Sequence, residues 1–149
     1  MKLKPIYIDV CALSRPFDNQ EFMRIRLETE AVNLILSNVK AGNYKLLVST
    51  VHIKEIDAII DPIERIELQM VLNKWGERII VNLKKTRIRA EYLVNSGFGV
   101  ADAAHVAFAE QIEAPFISCD DRLIKKCLNH KISVWCGNPV AFCEKEMLK

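Results

Sequence analysis

No stretch of the sequence approaches the ~18 consecutive apolar residues that a membrane-spanning helix requires, so no membrane segment is expected. The opening Met1-Lys2-Leu3-Lys4-Pro5 carries some positive charge, but Asp9 interrupts too early to leave a secretory apolar core. The expected location is the cytoplasm. Glycine and proline are scarce, at five each, which excludes collagen-like and low-complexity chains. With 50% hydrophobic residues and 27% charged, disorder is excluded too. The five cysteines, Cys11, Cys119, Cys127, Cys136 and Cys143, are odd in number and lack a C-x-x-C pair, and no paired histidines stand at finger spacing. They read as reduced, mostly buried thiols rather than zinc ligands. Charge of neither sign dominates: a net +2 argues neither for nor against a nucleic-acid partner. What remains is an ordinary globular chain, 149 residues long, expected to form one domain over 1–149 with one core.

The elements follow from hydrophobic period and punctuation. Pro5–Ile8 is a short apolar run closed by Asp9, the pattern of a buried parallel strand with a carboxylate at its C-terminal end. A helix is expected from Glu21 to Ala41, ended by Gly42-Asn43, followed by a strand over Lys45–Val48 and a helix from about Val51 to Ile60 capped by Ser49 or Thr50. Asp61-Pro62 breaks that helix, and Ile63–Trp75 forms the next, closed near Gly76. Ile79–Val81 suggests a short strand. Lys84–Asn95 is a basic helix, and Val100–Glu113 an alanine-rich one able to pack closely on several sides. Pro115–Ser118 is a strand leading into Cys119-Asp120-Asp121, Arg122–Asn129 a helix, Ile132–Trp135 a last strand, and Asn138-Pro139 a helix start. Alternation of this kind predicts an α/β fold with a mostly parallel sheet and helices on both faces.

Four acids occupy positions where an isolated carboxylate is costly. Asp9 and Asp120 end apolar strands, where open α/β sheets place their chemistry. On a helical wheel Glu55 falls on or beside the apolar stripe between Val51 and Ile59, and Asp102 shares a face with Val106 and Ala109. Asp9 and Asp102 have ordinary structural explanations: a strand-end Asp commonly caps a turn, and an acid in a first helical turn suits the macrodipole. Four converging acids would repel one another, and a divalent cation removes the conflict. Oxygen ligation points to Mg²⁺ or Mn²⁺, metals that serve phosphate chemistry. Setting these four and Asp121 aside leaves 14 of the 19 acids against 21 Lys plus Arg, a basic rim of seven around an acidic pocket. That distribution suits a polyanionic substrate. Arg15, Lys54, Arg122, Lys125 and Lys126 lie nearest the acidic motifs in sequence, with a further basic run at Lys84, Lys85, Arg87 and Arg89; Arg15, whose loop follows Asp9 directly, is the strongest candidate to touch substrate.

His105, one turn from Asp102, is placed to orient it by a hydrogen bond. His52 and His130 show no partner in the sequence. No Gly-x-Ser-x-Gly surrounds Ser14, Ser49 or Ser118, so serine hydrolysis is not expected. Asp9 beside Cys11 would raise rather than lower the thiol pKa, which argues against a nucleophilic cysteine. Gly97-Phe98-Gly99 is too short for a phosphate loop, and Trp75 and Trp135 read as core.

Taken together, Ile8-Asp9-Val10-Cys11, Arg15-Pro16-Phe17-Asp18, Glu55, Asp102-Ala103-Ala104-His105 with Ala109-Glu110, and Ser118-Cys119-Asp120-Asp121-Arg122-Leu123 resemble the PIN-domain nucleases, in particular the VapC-type ribonuclease toxins. The resemblance covers nearly the whole chain in order, with Cys119 a departure from commoner members. It implies a three-layer α/β/α sandwich and an Mg²⁺/Mn²⁺-dependent endoribonuclease acting on single-stranded RNA. Asp9, Glu55, Asp102 and Asp120 match the family's acids. The first, third and fourth are read as metal ligands, with Glu55 and Asp121 as further ligand candidates and Asp120 favoured over Asp121. Ser118 matches a hydroxyl that orients a carboxylate or water. A cognate antitoxin and a homodimer are the partners that the resemblance implies. The competing readings are a catalytically silent PIN-like module binding RNA or protein, and a nuclease of RNA processing or DNA.

Overall fold

The computed structural model describes residues 3–149; Met1 and Lys2, part of the charged N-terminus, lie outside the described residues. Five strands, β1 (Lys4–Ile8), β2 (Tyr44–Val48), β3 (Gly76–Arg78), β4 (Phe116–Ile117) and β5 (Cys136–Gly137), form one all-parallel sheet in the order β3-β2-β1-β4-β5. The helices are α1 (Val10–Leu13), α2 (Met23–Lys40), α3 (Thr50–Asp57), α4 (Pro62–Trp75), α5 (Leu83–Asn95), α6 (Val100–Ile112), α7 (Asp121–Asn129) and α8 (Pro139–Glu146), with a 3-10 turn over Arg15–Phe17. Among the described residues no helix is long and apolar enough to cross a membrane.

The strand period of two divides the core into two layers. Ile6 and Ile8 of β1, Leu46 and Val48 of β2 and Ile117 of β4 pack with Ile35, Ile56, Leu72 and Phe142 from α2, α3, α4 and α8. Tyr7, Leu47 and Phe116, the alternate positions, pack with Leu93, Val106, Phe108 and Leu123 from α5, α6 and α7. The result is the α/β/α sandwich. β1 is buried on both faces, which is why it reads as a continuous apolar run. Ala103, Ala107 and Ala109 are fully buried, as the alanine-rich pattern of α6 implied.

Two strands differ from expectation. The ladder beside β2 forms at Gly76–Arg78 rather than Ile79–Val81, and only the Ile79 amide continues it, donating to Val48 O at 2.9 Å. Gly76 permits this early start: a Cβ there would press on Val48 Cγ2 and lie 2.5 Å from Leu72 O. Backbone cannot yield as a side-chain tip can. Gly76→Ala is therefore expected to destabilise the protein by about 1–3 kcal/mol, read as a lower urea midpoint at unchanged slope; an unchanged midpoint would show that this sheet edge accommodates a methyl. The last strand is Cys136–Gly137, not Ile132–Trp135. Ser133 is diverted by Glu110, whose Oε2 accepts from its amide and hydroxyl at 3.1 Å each, while Trp135 O only borders the ladder, accepting from Phe116 N at 2.7 Å. Arg89 completes that tie, donating from Nε to Glu110 Oε1 at 2.8 Å and holding the Glu110 carboxyl below its usual range against the effect of burial.

The chain runs outward from β1 to β2 and β3, then returns to the opposite side of β1 for β4 and β5. The crevice outside the carboxyl ends of β1 and β4 is thus the switch point where such sheets hold ligands.

Candidate active site

Asp9 leaves β1 at that switch point, 3% exposed. It caps α1, Oδ1 accepting from Ala12 N at 3.0 Å and from Cys11 Sγ at 3.1 Å, so its ordinary capping role and its place in the crevice coexist. Burial pushes the Asp9 carboxyl up, opposed by the Ser118 hydroxyl, the Cys11 thiol, the nearby His105 and the Ala12 amide. Burial and the Asp9 charge push the Cys11 thiol up in turn, and Cys119, buried in the Ser-Cys-Asp segment, is pushed up to about 12. Neither is a thiolate nucleophile at neutral pH.

Ser118 is fully buried after β4, and its Oγ accepts from Asp120 N at 3.0 Å. One hydroxyl therefore serves both the Asp9 carboxyl and the turn that presents Asp120. Asp120 caps α7, with Oδ1 accepting from Arg122 N at 3.0 Å and Leu123 N at 3.2 Å. Asp121 points elsewhere: Arg24 grips it bidentately, both N···O distances 2.7 Å, and holds its carboxyl below the usual range.

Asp102 sits in the first turn of α6, half-buried. Its carboxyl is raised by burial first, then by the charge of Asp120, with Glu55 adding to the rise and His105 and Lys126 opposing it. Asp102 thus feels the charge of two of the other three acids. Glu55 is not enclosed as its position on the wheel suggested; its side chain is 37% exposed. The His105 Nε2 is hydrogen-bonded to Glu55 Oε1, so the partner of this histidine is Glu55 rather than Asp102. His52, without a partner in the sequence, is fully buried: Nδ1 accepts from Ser49 N at 3.0 Å and Nε2 bonds Ile8 O at 2.7 Å. Burial, then the neighbouring His105, pushes His52 down to about 3.

Beside the acids runs an open groove of about 550 Å³ lined by Arg15, Phe22, Arg24, Asp120, Asp121 and Arg122. Phe22 is 61% exposed there. The bases are not all free. Arg15 donates from Nε to Glu28 Oε1 at 3.0 Å and from NH1 to Asp18 Oδ2 at 2.9 Å, while Arg24 Nε lies 3.4 Å from the same Glu28 oxygen. Glu28, Arg24 and the Tyr7–Ser49 pair went unrecognised in the sequence. Glu28 could have been found, since it lies on the inward stripe with Ala31, Val32, Ile35 and Val39. Of the basic run on α5, Arg87 pairs with Glu91 and Arg89 with Glu110.

Among the described residues, no three His, Cys, Asp or Glu side chains are grouped closely enough to hold a metal ion. The oxygen donors of Asp102 and Asp120, whose repulsion His105 and Lys126 only partly offset, are of the kind that would suit Mg²⁺ or Mn²⁺. Mg²⁺ is commonly held by one or two carboxylates, with waters and substrate phosphate completing its shell. Asp102 and Asp120 fit that mode.

No family model and no curated protein matches the sequence. Solved structures do match in fold. FitAcB from Neisseria gonorrhoeae is similar at 15% identity over 90% of this chain and 97% of that one, with a TM-score of 0.56. FitAB bound to an IR36 DNA fragment is similar at 16% identity over 91% of this chain and 95% of that one, also with a TM-score of 0.56. The likeness is one of fold: a five-strand all-parallel sheet between helical layers, the PIN-like architecture.

Proposed function

We propose that the protein is a metal-dependent endoribonuclease that cleaves phosphodiester bonds of single-stranded RNA as the toxin of a type II toxin–antitoxin pair. The observation that carries this reading is the meeting of Asp102, Asp120 and Glu55 at the switch point of the sheet, where burial first, and then the charges of Asp120 and Glu55, raise the Asp102 carboxyl. Bound Mg²⁺ or Mn²⁺ would neutralise phosphodiester oxygens and make a water more acidic. Asp102 and Asp120 would hold the ion in this scheme, with Asp9 as the third candidate ligand. Glu55, held by His105, takes the proton of the attacking water. Arg122 and Arg15 face the RNA backbone, and the exposed Phe22 ring offers a face on which a base can stack. Asp121, occupied by Arg24, shapes the groove wall.

The fold likeness to FitAcB and FitAB supports an antitoxin partner, and the DNA fragment named with FitAB supports nucleic-acid contact in such an assembly. The exposed Ile63, Ile66 and Met70 along α4 supply an apolar surface for a homodimer. A cytoplasmic location goes with this role. Incubation with single-stranded RNA and Mn²⁺ is expected to give cleavage that EDTA abolishes, and induced expression to arrest growth until a neighbouring gene product relieves it. Absence of cleavage across RNA and DNA substrates would overturn the nuclease. Binding without cleavage is the signature of a silent PIN-like module, a reading compatible with the lack of a three-ligand cluster among the described residues.

A further inference from the structure

We infer that a buried hydrogen-bonded chain, Ile8 C=O–His52–Ser49–Tyr7–His105, is a strut that sets the Glu55 carboxylate relative to Asp9, making Tyr7 and His105 positioning residues of the site. The inference rests on the nuclease reading above for its consequence, but its geometry stands apart from it.

The chain starts from backbone atoms, which fix its direction. Ser49 N–H donates to His52 Nδ1 at 3.0 Å, so Nδ1 is an acceptor and the proton of this neutral ring is on Nε2, which donates to Ile8 O at 2.7 Å. The Ser49 hydroxyl oxygen also lies 3.1 Å from that Nδ1, but the single lone pair of the ring nitrogen is engaged by the amide, so the hydroxyl donates to Tyr7 Oη at the shorter 2.8 Å. Tyr7 Oη donates in turn to His105 Nδ1 at 2.6 Å. His105 therefore carries its proton on Nε2 and donates it to Glu55 Oε1. In this arrangement every donor meets an acceptor.

The strut is stiff because its rings pack on one another. Tyr7 and His52 have centroids 4.7 Å apart, and His52 and His105 meet edge-on at 4.9 Å. Tyr7, His52 and His105 are each almost wholly buried. One end is the carbonyl preceding Asp9; the other is the half-exposed Glu55, which α3 alone leaves free to swing. A polar path through the core is costly unless each member is satisfied, and an apolar core would serve stability as well. Holding a carboxylate in reacting geometry gives the path a purpose.

Nitrogen-15 NMR of the metal-free protein at neutral pH is expected to show both His52 and His105 as Nε2–H tautomers, with Tyr7→Phe returning His105 to a tautomer mixture. An Nδ1–H tautomer at His105 in the wild type would overturn the strut without reference to activity. In RNA cleavage, Tyr7→Phe and His105→Leu should lower kcat by on the order of ten- to a hundredfold at unchanged KM, and His105→Gln, which keeps a donor at the Nε2 position, should recover part of it. Equal kcat per folded molecule in all three would reduce the network to packing. An inactive wild type sinks the nuclease but leaves the tautomer result to decide the strut.

Discussion

Asp102→Asn is expected to remove Mn²⁺-dependent cleavage while raising the Tm of the metal-free protein at neutral pH. The two effects have one cause. Burial, Asp120 and Glu55 raise the Asp102 carboxyl in the folded state, so the folded protein binds this proton more tightly than the unfolded chain does. Stability from such a group is fully present below the unfolded carboxylate pKa and is lost as pH rises through the higher folded value. At neutral pH the wild type has lost it, and the neutral amide has no such penalty. The gain in Tm should shrink as pH falls through the Asp102 titration and vanish where the wild-type carboxyl is protonated. Added Mn²⁺ should reverse the order, stabilising the wild type through binding to the folded state and leaving the variant unmoved. The loss of cleavage should exceed the ~10–100-fold that follows removal of a residue supporting a ligand. Asp9→Asn should also be inactive and folded, since the amide oxygen can still cap α1. Calorimetry across pH, with and without Mn²⁺, checks this; equal or lower metal-free stability of Asp102→Asn at neutral pH would mean that the acids do not strain one another.

Arg15→Ala is expected to cost about 3 kcal/mol of stability, far more than loss of an exposed substrate contact. Glu28 is 2% exposed within α2, and its Oε2 has no hydrogen-bond partner. Arg15 supplies its principal counter-charge, with NH2 at 2.9 Å from Oε1 and a side chain only 19% exposed. Its removal leaves a buried carboxylate with Arg24 alone at 3.4 Å, itself committed to Asp121. Glu28→Gln in the same chain should recover most of the loss, because an amide needs no counter-charge. Urea unfolding of the single and double variants measures the coupling; additive losses would show the pair to be energetically independent. Arg15 is consequently a poor probe of RNA binding, since its loss weakens the scaffold. Arg122, exposed on the first turn of α7, is the cleaner test of the groove.

Much of the architecture was legible because it depends on local pattern. Apolar runs closed by Asp9 and by Ser118-Cys119-Asp120 read as buried strands, and the alternation with helices implied the parallel sheet that the order β3-β2-β1-β4-β5 realises. The two strand shifts had local causes that hydropathy does not register: a glycine admitted against backbone at Gly76, and Ser133 captured by Glu110. Candidate acids stood out because a carboxylate at a strand end or on an apolar stripe is costly wherever it lies. Which groups meet is a different matter. A wheel assigns His105 a face but not the partner across it, so Asp102, one turn away in sequence, was the expected neighbour and Glu55, fifty residues away, the actual one. The same holds for Asp121 with Arg24, for Arg15 with Glu28, and for His52, whose partners are a backbone amide and a carbonyl on another strand. Secondary structure and the cost of a misplaced charge arise from each residue and its near neighbours, and these the sequence carries. Pairing across the core arises from how helices seat on the sheet, a global packing outcome, and there the identity of each partner was settled.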